Sequence, residues 1–100
     1  MAQVRLTPAA RNDVRRLREW LIEVAGRERA KGFVGRLLDH CQRLAATPAA
    51  GGLRPQFGEG VRSTVVAPYV IIYEPKGYGM RVLRIIHGHR NIERAWREET

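Results

Sequence analysis

Apolar residues recur at three- and four-residue steps in the first quarter of the chain. They are Val14, Leu17, Leu21 and Val24. This spacing predicts one stripe along an amphipathic helix, with Trp20 at its flank. Thr7 followed by Pro8 is a typical helix start, because threonine caps free N–H groups and proline tolerates the first helical position. Gly26 is placed where a helix would end.

A second helical pattern follows at about residues 28–46. Its apolar face consists of Ala30, Phe33, Val34, Leu37, Cys41 and Leu44. Pro48 closes the pattern. Two amphipathic helices joined by a short connection indicate an antiparallel helical hairpin over residues 8–47. The joint apolar surface of this hairpin needs a cover, which the rest of the chain has to supply.

Strand patterns flank the hairpin on both sides. A short first strand is expected within residues 1–7, and a three-stranded meander within residues 60–88. The meander runs read VRSTVV, YVIIYE and MRVLRIIH, with turn residues between them. Residues 90–99 form a short terminal helix in this interpretation. The order β-α-α-β-β-β(-α) predicts a single α+β domain over residues 1–100, with the N-terminal helical hairpin packed on one face of a mainly antiparallel sheet.

The last strand does not alternate cleanly between apolar and polar residues. Arg81, Leu83 and Ile85 fall on one side of a regular strand, and Val82, Arg84 and Ile86 fall on the other. Both faces therefore mix arginine with aliphatic residues. We expect a central strand whose second face meets solvent or a partner.

Composition narrows the class of protein. The formal net charge is +8, and Lys31 and Lys76 are the only lysines among eighteen basic residues. The basic residues are spread over both halves of the chain, so the charge favours nucleic-acid contact only weakly. Cys41 is the only cysteine, which excludes an internal disulfide and indicates a buried packing residue. No apolar run is long enough for a membrane span and the N-terminus lacks a signal-peptide pattern, so we expect a cytoplasmic protein.

Several stretches of the sequence, taken together and in order, resemble the sequences of a known family. They are LTPAARNDV at the first helix, LR after the glycine-rich loop, VRS and APYVIIYE in the meander, and VLRIIHGHRN at the end. The last stretch is similar to the ParE-type ending, in which an apolar strand runs into His87, Gly88, Arg90 and Asn91. The resemblance is to the RelE/ParE superfamily, the toxins of type II toxin–antitoxin modules, and covers essentially the whole chain.

The resemblance implies two alternative activities and one common partner. ParE-like members poison DNA gyrase without nuclease activity, whereas RelE-like members are ribosome-dependent messenger RNA endonucleases. Both kinds are neutralised by a cognate antitoxin with an acidic or amphipathic tail. We expect ParE-like gyrase poisoning, with RelE-like cleavage as the alternative. A non-toxic basic module that binds nucleic acid is the second alternative.

The residues supply only part of the set needed to cut RNA. Attack by a 2′-hydroxyl needs a base, cations around the phosphate and an acid for the leaving oxygen, but no metal. His87 or His89 can serve as acid or base, and Arg62, Arg81 and Arg90 are able to hold a phosphate. Trp96 stands where family nucleases carry a base-stacking tyrosine.

The lysines that RelE-like cleavage uses are missing from LRPQFGEGVR. Arginine replaces them poorly in proton transfer. We therefore expect no enzyme activity, and a metal-independent endoribonuclease if there is any. Two histidines without a third ligand nearby make a poor metal site, and His40 has no predictable path to them, so we expect neither a metal nor another cofactor.

A binding mechanism needs exposed anchors rather than a catalytic set. Arginine and tryptophan are enriched at binding hot spots, and a basic surface complements an acidic antitoxin tail. The candidates for contact with the target or the antitoxin are Arg62, Arg84, Arg90, Arg94 and Trp96.

Overall fold

The computed structural model describes residues 1–99, so residue 100 of the expected domain lies outside the described part. Three helices and five strands follow one another in the order β1-α1-α2-β2-β3-β4-β5-α3. The helices are α1 (Pro8–Ala25), α2 (Arg27–Leu44) and α3 (Ile92–Glu99). The strands are β1 (Gln3–Leu6), β2 (Gly52–Leu53), β3 (Arg62–Val66), β4 (Tyr69–Lys76) and β5 (Gly79–His87). Short 3₁₀ turns lie at Pro48–Ala50 and Pro55–Phe57.

The five strands form one sheet in the order β1-β5-β4-β3-β2. β1 runs parallel to β5, and the other neighbours are antiparallel. The α+β class and the expected central position of the last strand are therefore confirmed. Strand β2 was not predicted from the sequence, because two residues beside a glycine pair leave no periodic pattern.

The start and end of α1 follow the predicted signals. The Thr7 hydroxyl accepts a hydrogen bond from Ala10 N at 3.1 Å and donates one to Leu83 O at 2.8 Å. The cap therefore also ties the helix to β5. Gly26 ends α1 with φ at +92°, a backbone conformation that residues other than glycine rarely adopt.

The helical hairpin covers one face of the sheet, as predicted. The main core joins α1 and α2 to the residues of β4 and β5 that point toward them, including Tyr69, Ile71, Tyr73, Met80, Val82 and Ile85. A second, smaller core lies on the opposite face. There Ala95, Ile92 and Trp96 of α3 pack on Val61, Val70, Ile72 and Ile86. The second face of the sheet is therefore partly covered by the chain's own C-terminal helix.

A register shift explains the mixed pattern of the last strand. Ile72 pairs with Arg84 whereas Tyr73 pairs with Val82, so Leu83 is an extra residue in β5. Such a bulge reverses the side on which the following residues point. Val82 and Ile85 consequently both face the helical hairpin. Regular alternation, which the sequence analysis assumed, does not apply across this point.

Candidate functional site

A shallow pocket lies where β5 ends beside α1, and we call it the β5-end pocket. Its volume is about 180 Å³. Its lining residues are Asp13, Arg16, Leu17, Trp20, Tyr69, Ile85, Ile86, His87 and Arg90. Leu17, Tyr69 and Ile85 are buried and form its floor. Aromatic rings and arginines thus meet on a surface that a partner can reach.

The histidines of this ending stack on one another. The His87 and His89 rings lie 5.0 Å apart and nearly parallel, and the Tyr69 ring meets His87 edge-on at 5.2 Å. The backbone N–H of His89 donates to Nδ1 of His87 at 3.1 Å. In the neutral ring the proton therefore sits on Nε2. This arrangement makes His87 a donor toward the surface, since its accepting nitrogen is already used.

Gly88 and Asn91 have structural roles in the same turn. The Gly88 N–H donates to Pro68 O at 2.7 Å, and a Cβ on Gly88 would stand 3.0 Å from that oxygen. A larger residue would push the turn away from the hairpin that joins β3 and β4. The Asn91 side chain accepts a hydrogen bond from Arg94 N at 3.0 Å and so caps α3.

The arginines near this turn are exposed but not isolated. Arg90 donates to Glu98 at 3.1 Å, and Arg94 lies 3.6 Å from the same carboxylate. All three side chains are about half or more exposed, so these ion pairs are weak and can be exchanged for a partner's carboxylates or phosphates. Arg90 lines the β5-end pocket, whereas Arg94 lines a neighbouring surface on α3.

Arg62 lies away from the histidines. Its partner across the sheet is Tyr73, while the partner of His87 is Tyr69. These two tyrosines are four positions apart on β4, which is about 13 Å along the strand. Arg62 donates to Gly51 O at 2.6 Å and so holds the loop before β2. The structure does not bring Arg62 together with His87 and Arg90.

Trp96 is half-buried against the second core rather than beside the histidines. Its ring lies 4.9 Å from the ring of Phe57, in the second core on the opposite face of the sheet from α1 and α2. In a nuclease Trp96 was expected to stack on an RNA base. Here its ring contacts the ring of Phe57 instead. Arg81 pairs with Glu74 at 3.4 Å, also far along β5 from His87.

Arg84 is not a surface contact, and its inclusion among the candidates was wrong. Its side chain is only 1% exposed. It donates to Asp13 through Nε at 2.7 Å and Nη2 at 3.1 Å, and to Ala95 O through Nη1 at 2.7 Å. The bulge in β5 moves this arginine to the face of the sheet that α3 covers, where it joins α1, β5 and α3. The sequence alone carried no signal of that reversal.

Trp20 is the pocket residue that the sequence analysis treated only as the flank of a helical stripe. It is 51% exposed. The buried residues of α1 are Ala10, Asp13 and Leu17, all in its first ten positions, so the core contacts the start of α1 more than its last two turns. Val24, expected on the buried stripe, is 59% exposed for the same reason.

Neither a metal cluster nor a membrane helix occurs in the described part of the chain. Within residues 1–99 no three His, Cys, Asp or Glu side chains lie close enough to hold a metal ion. His40 instead makes a 2.8 Å hydrogen bond with the Thr64 hydroxyl. No helix within the same residues is long and apolar enough to cross a membrane.

Comparison with known proteins decides the family. The sequence model of the ParE toxin of type II toxin–antitoxin system, parDE, matches residues 4–92. The chain belongs to this ParE toxin family. The ParE match includes Arg62, His87 and Arg90 but ends before Arg94 and Trp96. The last two candidates therefore lie in a segment that the family pattern does not cover.

One solved structure supports the same fold for this ParE-family chain. It is described as the chromosomal ParDE TA system from P. aeruginosa, with a TM-score of 0.72 and 24% sequence identity. The alignment covers 87% of this chain and 96% of the other. At that identity the likeness shows the fold alone. No curated protein sequence matches the chain.

Proposed function

We propose that this protein poisons DNA gyrase by binding to it in the cytoplasm, and that a cognate antitoxin neutralises it. Membership of the ParE toxin family supports the toxin role. The β5-end pocket supports a binding mechanism, because it presents Trp20 and Arg90 beside a buried apolar floor. Tryptophan and arginine at the rim of a preformed pocket are the residue types that dominate binding energy.

The observation that carries the proposal is that the residues expected to cut RNA do not lie together in the structure. Arg62 lies about 13 Å along the sheet from His87, and Trp96 packs on the opposite face. His87 keeps its accepting nitrogen in a hydrogen bond with its own turn. These positions favour holding a target over transferring protons on a phosphodiester.

The antitoxin part of the proposal rests on charge and family. A chain with a net charge of +8 complements an acidic segment, and charge complementarity speeds association and excludes wrong partners. The solved relative is itself described as part of a ParDE system. The antitoxin would release gyrase by covering toxin surface.

Separate substitutions at the β5-end pocket test the proposal. We expect Trp20→Ala and Arg90→Gln each to weaken growth inhibition and gyrase-dependent DNA damage about tenfold or more, as loss of a hot-spot residue does. Val65→Ala and Arg43→Gln are matched controls, because both residues are exposed and lie outside the pocket. Both pocket variants acting like the wild type would overturn the role of the β5-end pocket. Translation stopping before DNA damage appears would reverse the proposal in favour of RelE-like cleavage.

A further inference from the structure

One face of α1 forms one side of the β5-end pocket. Asp13, Arg16, Leu17 and Trp20 are spaced at three- and four-residue steps, so they lie on the same side of the helix. Leu17 is buried, whereas Arg16 and Trp20 are exposed. The helix therefore brings a cation and an aromatic ring to the rim of the pocket, beside its apolar floor.

The end of β5 and the following turn bring hydrogen-bond donors to the other side of the pocket. The Nδ1 atom of His87 accepts from the backbone N–H of His89, so the Nε2–H of the neutral ring can donate to a ligand. The Arg90 guanidinium donates to Glu98 in an exposed ion pair. A phosphate can replace that carboxylate at little cost, because exposed ion pairs are weak.

The Asp13 carboxylate also lines the pocket, but its charge is balanced inside the protein. Its oxygens accept hydrogen bonds from Nε and Nη2 of Arg84 and from the backbone N–H of Ile85. The Asp13 residue is only 7% exposed. A ligand in the pocket therefore meets the cationic groups of Arg16 and Arg90 rather than an uncompensated carboxylate.

The Tyr69 hydroxyl is a further polar group at this pocket. Tyr69 is 7% exposed, and within residues 1–99 its hydroxyl makes no hydrogen bond. No enclosed polar side-chain atom of these residues lacks a partner, so the Tyr69 hydroxyl reaches solvent. Burial raises the pKa of Tyr69, which keeps the hydroxyl protonated at neutral pH. A ligand with acceptor oxygens can take this hydrogen bond.

The size of the pocket limits what can enter it. Its volume of about 180 Å³ is below the roughly 300–1,000 Å³ of pockets that enclose a whole small molecule. A ligand therefore places only one group inside. Separate donors on Arg16, His87 and Arg90 suit a phosphate, which offers more acceptor oxygens than a carboxylate. Beside them, the exposed ring of Trp20 offers a flat face on which an unpaired base can stack.

The larger groove between α2 and β3 fits a phosphate less well. It is lined by Arg36 and Arg43 but also by Asp39, whose charge opposes a phosphate. Its His40 is already bonded to Thr64. The combination of hydrogen-bond donors and an exposed tryptophan belongs to the β5-end pocket.

We propose that the β5-end pocket binds one unpaired nucleotide of a single-stranded nucleic acid. Arg16, His87 and Arg90 hold its phosphate, and its base stacks on Trp20. This inference rests on the proposed function for the source of the strand, which is the DNA on which gyrase acts. The toxin then contacts the DNA of the gyrase complex as well as the enzyme.

Oligonucleotide binding tests the pocket without gyrase. The probe is fluorescein-labelled heptathymidylate, titrated with the full chain and followed by fluorescence anisotropy. We expect Trp20→Ala, and separately the double variant Arg16→Gln with Arg90→Gln, to weaken binding about tenfold or more. The double variant should also lower the slope of log affinity against log salt by about 1.4, because each phosphate contact on a single strand contributes about 0.7.

Tryptophan fluorescence reports whether a base reaches the pocket. Trp96→Phe leaves Trp20 as the only tryptophan of the chain. We expect unlabelled heptathymidylate to quench the emission of this variant in a saturable manner, because the base stacks on the indole ring. Unchanged emission at a saturating concentration would overturn the proposal.

Matched charge changes separate the pocket from general electrostatic attraction. Arg11→Gln with Arg15→Gln removes two charges from α1 outside the pocket and is expected to bind within about threefold of the wild type. Glu98→Gln releases Arg90 and should strengthen binding more than Glu19→Gln, which releases Arg15. End-capped hexaglutamate carries as many charges as heptathymidylate and should bind at least about tenfold more weakly.

Several results would contradict the nucleotide site. They are no saturable binding of heptathymidylate, equal binding of hexaglutamate, equal losses in the two double variants, and Glu98→Gln binding no more tightly than Glu19→Gln. Tighter binding of the RNA probe heptauridylate would overturn DNA as the source of the strand. Gyrase poisoning is measured separately. A wild type that binds heptathymidylate without poisoning gyrase would count against the proposed function alone, and poisoning without such binding would count against this inference alone.

Discussion

Replacement of Asp13 by asparagine is the sharpest perturbation of the fold that the structure offers. The Asp13 carboxylate accepts hydrogen bonds from Arg84 Nε and Nη2 and from the backbone N–H of Ile85, which lies 2.9 Å away. Arg84 is almost fully buried and also holds Ala95 of α3. Asp13→Asn keeps the size of the side chain but leaves the buried guanidinium without a counter-charge.

The expected loss of stability in Asp13→Asn follows from the burial of Arg84. Removing one partner of a buried ion pair destabilises a protein by about 3–5 kcal/mol. For a domain of this size each kcal/mol lowers the melting temperature by about 4–8 °C, so we expect a loss of more than about 10 °C. Urea unfolding followed by circular dichroism measures the free energy, and a thermal scan measures the melting temperature.

Matched variants make the measurement decisive. Glu19→Gln removes the partner of Arg15 in an exposed ion pair and is expected to change stability by about 0.5 kcal/mol or less. The double variant Asp13→Asn with Arg84→Met should be less destabilised than the sum of the single changes, because the uncompensated charge is gone. A loss below about 1 kcal/mol for Asp13→Asn would refute the role assigned to this pair.

Substitutions of other buried residues should change the stability of the protein, and a buried thiol should be protected from reagents. Tyr73→Phe removes the hydroxyl that donates to Pro48 O at 2.6 Å and accepts from Gly51 N at 3.0 Å, and should cost about 1–3 kcal/mol in urea unfolding. Gly51→Ala should be at least as destabilising, because its Cβ would overlap that hydroxyl. Burial raises the pKa of the Cys41 thiol to about 11, so it should resist a disulfide reagent at pH 8 until urea unfolds the chain. The folded state disfavours the Cys41 thiolate, so wild-type stability should fall as pH rises from about 9 to 11, more than that of Cys41→Ala.

The helices and the main strands were predictable because their signals are local. Thr7, Pro8 and Gly26 act through the backbone of their own or neighbouring residues, and the apolar periodicity of each helix reports a single face. The class of fold follows from the order of these elements. Strand β2 and the 3₁₀ turns carry no such periodicity, and they depend on bonds such as that from Arg62 to Gly51 O.

The candidate site was only partly predictable because its geometry depends on one bulge. The sequence placed His87 and Arg90 at the end of the last strand, and both line the β5-end pocket. It could not show that Leu83 is an extra residue, which places Arg84 beside Ile72 on the face of the sheet that α3 covers. It also could not show that Trp20 is half exposed and lines the same pocket.

The most direct test of the central claim is a reaction of purified toxin with gyrase and supercoiled plasmid, run beside a translating extract with labelled messenger RNA. The claim is that this chain acts by holding gyrase rather than by cutting RNA. We predict that linear, gyrase-linked DNA accumulates with the wild type and much less with Trp20→Ala, while the messenger stays intact. Uncleaved plasmid at excess toxin, together with messenger cut on ribosomes, would contradict the account.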